Sequence, residues 1–149
     1  EKFANAERFP HADQIVVDDI PSWLERAELP PHAYAVILTR AHRHDLDALR
    51  ALAPKTLRYL GLIGSRAKVA RIYEALEAEG IGAEQLRRVH APVGLDLGAV
   101  TPQEIAISIL AELIAVKYGK LGAPDANAAQ RTQSLRWTPP ATSEATVGG

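Results

Sequence analysis

Two apolar runs of strand length, each followed by a helical pattern, constrain the fold of this chain more than any other feature. They occupy residues 34–39 (YAVILT) and 57–63 (LRYLGLI). Such runs are typical of strands that are buried on both faces of a parallel sheet. Because strands and helices alternate, we expect an α/β fold with right-handed crossovers, in which helices cover the sheet.

Helical periodicity and capping residues locate the other elements. We predict helices over residues 45–53, 66–79, 83–88 and 102–118, a short helix beginning near Pro21, and a further strand within residues 12–18. Residues 101–104 (TPQE) form a capping box, with a threonine N-cap, proline at the first helical position and glutamate at the third. The helix that follows is apolar around most of its circumference, so we expect it to be buried on two sides.

Composition excludes several classes of protein. The net charge is −1, which disfavours nucleic-acid binding, and there is no cysteine to form a disulfide, a thiolate nucleophile or a Cys-ligated metal site. No apolar run approaches the roughly 20 residues of a membrane helix, so we expect a soluble protein, with the cytoplasm as its default compartment. Since the 149 residues include no methionine, even at position 1, we expect them to be a piece of a longer polypeptide.

The helix predicted over residues 66–79 carries its charges in the unfavourable order. Its early cations are Arg66, Lys68 and Arg71, and its late carboxylates are Glu74, Glu77 and Glu79. Because the helix dipole favours the opposite arrangement, the pattern indicates an anion at the N-terminus, bound also by Ser65 and the backbone after Gly64. A phosphate suits this site. In the alternative interpretation, Ser65 is an ordinary N-cap and Arg71 pairs with Glu74.

Two other segments carry polar groups near predicted strand ends, where α/β sheets bind ligands. Thr39, His42 and Asp45 follow the first run, and their spacing matches no specific metal motif, so ligand contact is a stronger hypothesis than a metal site. In the alternative interpretation, Asp45 or Asp47 stabilises the helix N-terminus and the histidines are solvated. His90 and Asp96 flank a Pro-Val-Gly turn, and a packed structural histidine is the alternative there. Residues 61–64 (GLIG) form no complete dinucleotide-binding fingerprint.

Taken together and in order, these motifs resemble a known family. They are residues 37–39 with His42 and Asp45, then 59–68 (YLGLIGSRAK), 90–96 (HAPVGLD) and 101–112 (TPQEIAISILAE), preceded by 3–10 (FANAERFP). The set is similar to the C-terminal Rossmann-type domain of the xanthine dehydrogenase accessory proteins, the XdhC/CoxI maturation factors. The resemblance runs from about Phe3 to Gly119, and it implies a Rossmann-like three-layer parallel sheet.

The resemblance implies a chaperone for molybdenum hydroxylases that binds molybdopterin, the phosphate-bearing molybdenum cofactor, and assists its sulfuration and insertion. Whether it catalyses a reaction is left open, and no metal site is expected. The client hydroxylase, a sulfurase and a second copy in a homodimer are the implied partners, and NAD(P) or FAD is a further candidate ligand. The implied cofactor-binding residues are Thr39, His42, Asp45, Gly61, Gly64, Ser65, Arg66, Lys68, His90 and Asp96.

The chain departs from the family because the first strands of the Rossmann sheet and the N-terminal domain are not among its residues. We therefore expect an incomplete domain over residues 1–119, with a sheet edge that pairs with the missing part of the protein or with another copy. Residues 120–149 are predicted to be a flexible tail. An NAD(P)-dependent oxidoreductase and a non-catalytic nucleotide-binding dimerisation module are the alternative functions.

Overall fold

A computed structural model describes residues 2–121, so most of the predicted tail lies outside the described residues. The elements in chain order are α1 (Ile20–Arg26), β1 (Tyr34–Ile37), α2 (His42–Leu52), β2 (Tyr59–Leu62), α3 (Arg66–Ala78), α4 (Ala83–Arg87) and α5 (Pro102–Lys117). The chain divides into two compact units after Val93, and each is described by itself.

The sheet of the first unit consists of two parallel strands. β1 pairs with β2 in a register that sets Tyr34 opposite Tyr59 and Ile37 opposite Leu62. On the other side of β2, the N–H of His90 donates to the carbonyl of Leu60 over 2.8 Å. This arrangement is an incomplete α/β fold of the Rossmann type, and the predicted fold class is confirmed.

The core of the first unit lies between the sheet and the helices that follow each strand. Its fully buried members include Leu49 of α2, Leu62 of β2, and Ile72 and Leu76 of α3. Ile72 and Leu76 are four residues apart and therefore lie on one helix face, which is the periodicity that predicted the helix. Burial of this stripe between strand and helix fixes α2 and α3 against the sheet.

The strand predicted within residues 12–18 is wrong. Residues 14–17 adopt no regular structure, and Val16 and Val17 are exposed. A β-branched run forms a strand only where a neighbouring strand accepts its backbone hydrogen bonds. Within residues 2–121, the only strands are the paired β1 and β2, and neither extends its pairing to this segment.

In the second unit, α5 begins with the predicted capping box. The Thr101 hydroxyl accepts from the Glu104 N–H over 3.2 Å, and the Glu104 carboxylate accepts from the Thr101 N–H over 2.8 Å. The prediction of burial on two sides is wrong, because Ile107, Leu110 and Ile114 are each more than half exposed. These three residues form one apolar stripe that the described residues leave uncovered.

No helix within residues 2–121 combines the length and the apolar character that a bilayer crossing requires.

Arg50 of α2 binds two carboxylates, and the one at the end of α3 connects the two helices. Its Nη1 lies 2.6 Å from Asp47 Oδ1 on its own helix, and its Nη2 lies 2.8 Å from Glu79 Oε1 at the end of α3. These hydrogen bonds favour the charged forms, so they lower the pKa of the Glu79 carboxyl below its ordinary value of 4.5 and raise the pKa of Arg50.

The Arg50–Glu79 pair predicts a pH-dependent contribution to stability. Since the folded-state pKa of Glu79 is lowered, its stabilisation is complete above pH 4.5 and is lost as the pH falls through that lowered pKa. Glu79→Gln should therefore lower the urea midpoint at pH 7, and the difference from the unaltered protein should shrink near pH 3. Glu77→Gln, at an exposed position of α3, is the control and should show little difference at either pH.

Gly94 predicts a second, steric effect in the loop before α5. Its φ is +96°, and a Cβ there would lie 2.5 Å from Ser108 Oγ and 3.3 Å from the Ile109 backbone nitrogen. Gly98 has a φ of +72° but open space around it. Gly98→Ala should therefore cost about 1 kcal/mol from backbone strain alone, and Gly94→Ala should cost more. Hydrogen-exchange protection of the α5 amides measures both, and adding Ser108→Ala to Gly94→Ala should recover part of the loss.

Candidate functional site

A buried carboxylate joins the segments that follow the two strands. Asp45 is fully buried, the Thr39 hydroxyl donates to its Oδ1 over 2.6 Å, and Lys68 Nζ forms an ion pair with its Oδ2. Thr39 follows β1, Asp45 is in the first turn of α2, and Lys68 is in the first turn of α3. Three residues predicted separately from two motifs thus meet at the carboxyl end of the sheet, where parallel α/β folds bind ligands.

The early start of α2 explains why Asp45 is buried. The helix begins at His42 instead of the predicted residue 45, so Asp45 is a helical residue on the face that also carries Leu49 and Leu52. A carboxylate in the first turn is stabilised by the positive end of the helix dipole. The Lys68 ammonium group balances its negative charge at Oδ2, and the Thr39 hydroxyl donates a hydrogen bond to Oδ1.

The N-terminus of α3 has the predicted charge inversion. Ser65 is the N-cap and its hydroxyl accepts from the Lys68 N–H over 3.2 Å, while the first turn has no acidic residue and the last turn no basic one. A Cβ on Gly64 would lie 2.9 Å from Lys68 Cδ, so the glycine leaves room for the lysine stem on its way to Asp45. The loop and the helix start therefore position Lys68 together.

The three cations of α3 have different surroundings. Lys68 is paired with Asp45, whereas the exposed Arg66 and Arg71 make no ion pair within the described part of the chain. Arg66, Ser65 and the free N–H groups of the first helical turn remain as donors to an anion. Lys68 is not counted among these donors, because its ammonium group already has a carboxylate partner.

The two histidines at the start of α2 are exposed. His42 is the first residue of the helix and His44 lies two positions later, on the side away from the buried face. Residues 2–121 contain no group of three or more His, Asp or Glu side chains arranged to hold a metal ion. Contact between His42 and a ligand stays a prediction.

His90 is a packed residue next to β2. It is 5% exposed, and its ring stacks on Tyr59 with the centroids 4.4 Å apart. A Cβ on Gly61 would lie 2.6 Å from Val93 Cγ2 and 2.8 Å from the Tyr59 hydroxyl, so this glycine permits the close packing. The structural role considered for His90 is present, while ligand contact by His90 or Gly61 stays a prediction. Asp96 is exposed in the second unit.

Sequence reasoning missed two polar features. The Arg40 guanidinium lies 4.5 Å from the centroid of the Phe3 ring, a cation–π contact that ties the N-terminal segment to the residues after β1. In the second unit, the fully buried Glu112 accepts from the Gly94 N–H over 3.2 Å. The available signal for the second feature was the pair Ser108 and Glu112, which are polar residues one turn apart in an apolar helix.

The sequence matches a protein family over most of its length. The model of the XdhC Rossmann domain family matches residues 1–113. The Escherichia coli (strain K12) protein named "Uncharacterized protein YqeB" is 38% identical over 119 residues, which cover 79% of this chain and 22% of that protein. A Bacillus subtilis (strain 168) protein, named as a probable xanthine dehydrogenase subunit, is 32% identical over 112 residues, which cover 75% of this chain and 32% of that protein.

A solved structure gives the same indication. The crystal structure of a xanthine dehydrogenase from Bacillus halodurans aligns with a TM-score of 0.66 at 33% sequence identity, over 79% of this chain and 33% of that one. This chain therefore spans between a fifth and a third of the length of these relatives.

The Asp45–Lys68 pair makes a prediction about stability. Lys68→Ala would leave a fully buried carboxylate without its cation, and we expect a cost of about 3 kcal/mol in the free energy of unfolding. The double variant Asp45→Asn, Lys68→Met removes both charges and should recover most of that loss. Arg66→Ala, which alters an exposed cation two residues away, should change stability by less than about 0.5 kcal/mol. Urea unfolding measures all three, and equal costs for Lys68→Ala and Arg66→Ala would contradict the prediction.

Proposed function

This chain belongs to the XdhC Rossmann domain family, and from that premise we propose that it is part of an accessory protein for xanthine dehydrogenase-type molybdenum hydroxylases. Its role is to bind the molybdenum cofactor and to assist the sulfuration of that cofactor and its insertion into the client enzyme. Family membership associates the chain with xanthine dehydrogenase. We further propose that the protein acts as a chaperone for this cofactor and that it does so in the cytoplasm.

The observation that carries the proposal is the cationic start of α3. Ser65 caps the helix, no carboxylate occupies its first turn, and Arg66 is exposed beside the free backbone N–H groups. These donors fit the phosphate of molybdopterin, because a helix N-terminus and a guanidinium both bind phosphate oxygens. The cofactor itself supplies the molybdenum chemistry, and this chain supplies an anchor for its phosphate.

The buried pair of Asp45 and Lys68 distinguishes the residues that position the site from those that can contact a ligand. Asp45 binds the Lys68 ammonium group, so Lys68 orders the loop between β2 and α3. Because Arg66 makes no ion pair within residues 2–121, it can move onto an arriving anion without breaking one there. We therefore assign Arg66 and Ser65 to direct contact, and Lys68, Asp45 and Thr39 to the positioning of the helix start.

The implied partners are the client hydroxylase, a sulfurase and a second copy in a homodimer. NAD(P) and FAD also carry phosphates that the α3 N-terminus suits, so an oxidoreductase and a non-catalytic nucleotide-binding module are the competing functions. Binding measurements with each ligand separate them.

The proposal predicts that Arg66→Glu lowers cofactor retention without unfolding the protein. Arg66 is exposed and makes no internal ion pair in the described part of the chain, so its replacement removes a ligand contact and little else. The measurement is the pterin content of the protein, purified in the length that its gene encodes, with thermal unfolding measured in parallel. We expect at least a several-fold loss of pterin and an unchanged melting temperature.

Arg58→Glu, directly before β2, is the matched control, because it reverses an exposed arginine that makes no ion pair within residues 2–121 and that precedes the strand instead of following it, and it should leave the pterin content unchanged. Tight binding of NADP or FAD, with no retention of pterin by the unaltered protein, would favour the competing functions. Unchanged pterin retention in Arg66→Glu would remove the α3 site from the proposal while leaving the family role standing.

A further inference from the structure

Three cations surround one half-exposed aromatic ring near the start of the chain. The ring is that of Phe3, and the Arg40 guanidinium carbon lies 4.5 Å from its centroid. The guanidinium carbon of Arg8 lies 5.7 Å from the same centroid and the Lys2 ammonium nitrogen 5.8 Å. These distances are those of cation–π contacts. We call Phe3 and its three cations the Phe3 cluster.

The positive charge of the Phe3 cluster is not neutralised within residues 2–121. None of its three cations forms an ion pair there, and Glu7, the acidic residue between Phe3 and Arg8, pairs with none of them. Because the cations share one ring, they repel one another across separations comparable to the Debye length, which is about 8 Å at physiological ionic strength. The ring attracts each cation only weakly, so the cluster favours an anion as its partner.

Hydrogen bonds of Asn5 hold the N-terminal part of the cluster in place. Its side-chain nitrogen donates to the carbonyl of Lys2 over 3.4 Å, and its side-chain oxygen accepts from the N–H of Arg8 over 3.0 Å. The asparagine therefore closes a turn at both ends and brings Arg8 back to the ring of Phe3. Arg40 reaches the same ring from a different segment, so the cations converge before any ligand arrives.

The cluster adjoins the candidate site without sharing a residue with it. Arg40 directly follows Thr39, whose hydroxyl donates to the buried carboxylate of Asp45. The cluster is thus connected to the carboxyl end of β1, the end at which parallel α/β sheets bind ligands. Arg66 and the N-terminus of α3 form a separate group of anion donors, attached to the segment after β2.

We propose that the Phe3 cluster is a second anion site, which binds the diphosphate group of a small ligand. Guanidinium groups bind phosphate oxygens in pairs, and the cluster provides two of them, Arg8 and Arg40. A phosphate monoester carries at most about two negative charges at pH 7, whereas a diphosphate carries more and matches three cations better. The inference does not depend on the proposed function, because the pterin phosphate is assigned to Ser65 and Arg66.

The test is calorimetric titration of the protein, in the length that its gene encodes, with inorganic pyrophosphate. Arg66→Glu serves as the background, because it removes the arginine of the α3 site. We expect this variant still to bind pyrophosphate, and the added change Arg40→Gln should weaken the association about tenfold through the loss of charge-assisted hydrogen bonds. Phe3→Leu should weaken it several-fold, since leucine fills similar space but does not order the cations.

Arg43→Gln is the matched control. It removes the same charge three residues from Arg40, at an exposed arginine whose Nε lies 3.9 Å from Asp47 Oδ2, and it should leave the affinity nearly unchanged. Thermal unfolding measured in parallel should be alike for all variants, because the replaced side chains are exposed.

Three results would overturn the proposal. They are a loss of all pyrophosphate binding in Arg66→Glu alone, equal affinities in the Arg40→Gln and Arg43→Gln variants, and an affinity for citrate as high as that for pyrophosphate. The last result would assign the cluster to carboxylates instead of diphosphates. Absence of pterin from the unaltered protein would contradict the proposed function but would not alter these titrations.

Discussion

The ion pair between Asp45 and Lys68 is the interaction on which the arrangement of the candidate site depends. A carboxylate with no exposed surface is stable only when it is paired and hydrogen-bonded, and Lys68 and Thr39 meet that requirement from two different segments. The pair therefore fixes the start of α2 relative to the start of α3 at the carboxyl end of the sheet. The exposed Arg66 is the first residue of α3, whose start is held in place by this ion pair.

The alternation of apolar runs and helical periods was sufficient to predict β1, β2, α3 and α5 with their bounds nearly correct, because each depends on local pattern and capping. The strand over residues 12–18 could not be judged in this way, since a strand also needs a partner that local sequence does not reveal. The same limit applies to α5, whose apolar circumference predicted burial although Ile107 and Leu110 are exposed.

The residues of the candidate site could be predicted from the sequence, but the contacts between them could not. Thr39, Asp45 and Lys68 were each selected from the sequence, yet the charge on Lys68 was assigned to an anion when its partner is Asp45. The spacing of Asp45 with Leu49 and Leu52 indicates that Asp45 needs a counter-ion, because an acid on an apolar helix face must be compensated, but it does not identify Lys68 as that counter-ion. Pairings between distant segments depend on the fold and cannot be read from spacing within either segment.

The composition of α5 has a practical consequence. Its buried residues are Ser108, Glu112 and Ala115, while Ile107, Leu110 and Ile114 face solvent, so the usual distribution of polar and apolar residues is reversed. With a net charge of only −1, the chain has little electrostatic repulsion to keep such surfaces apart. We therefore expect the apolar stripe of α5 to favour association between molecules as the protein concentration rises.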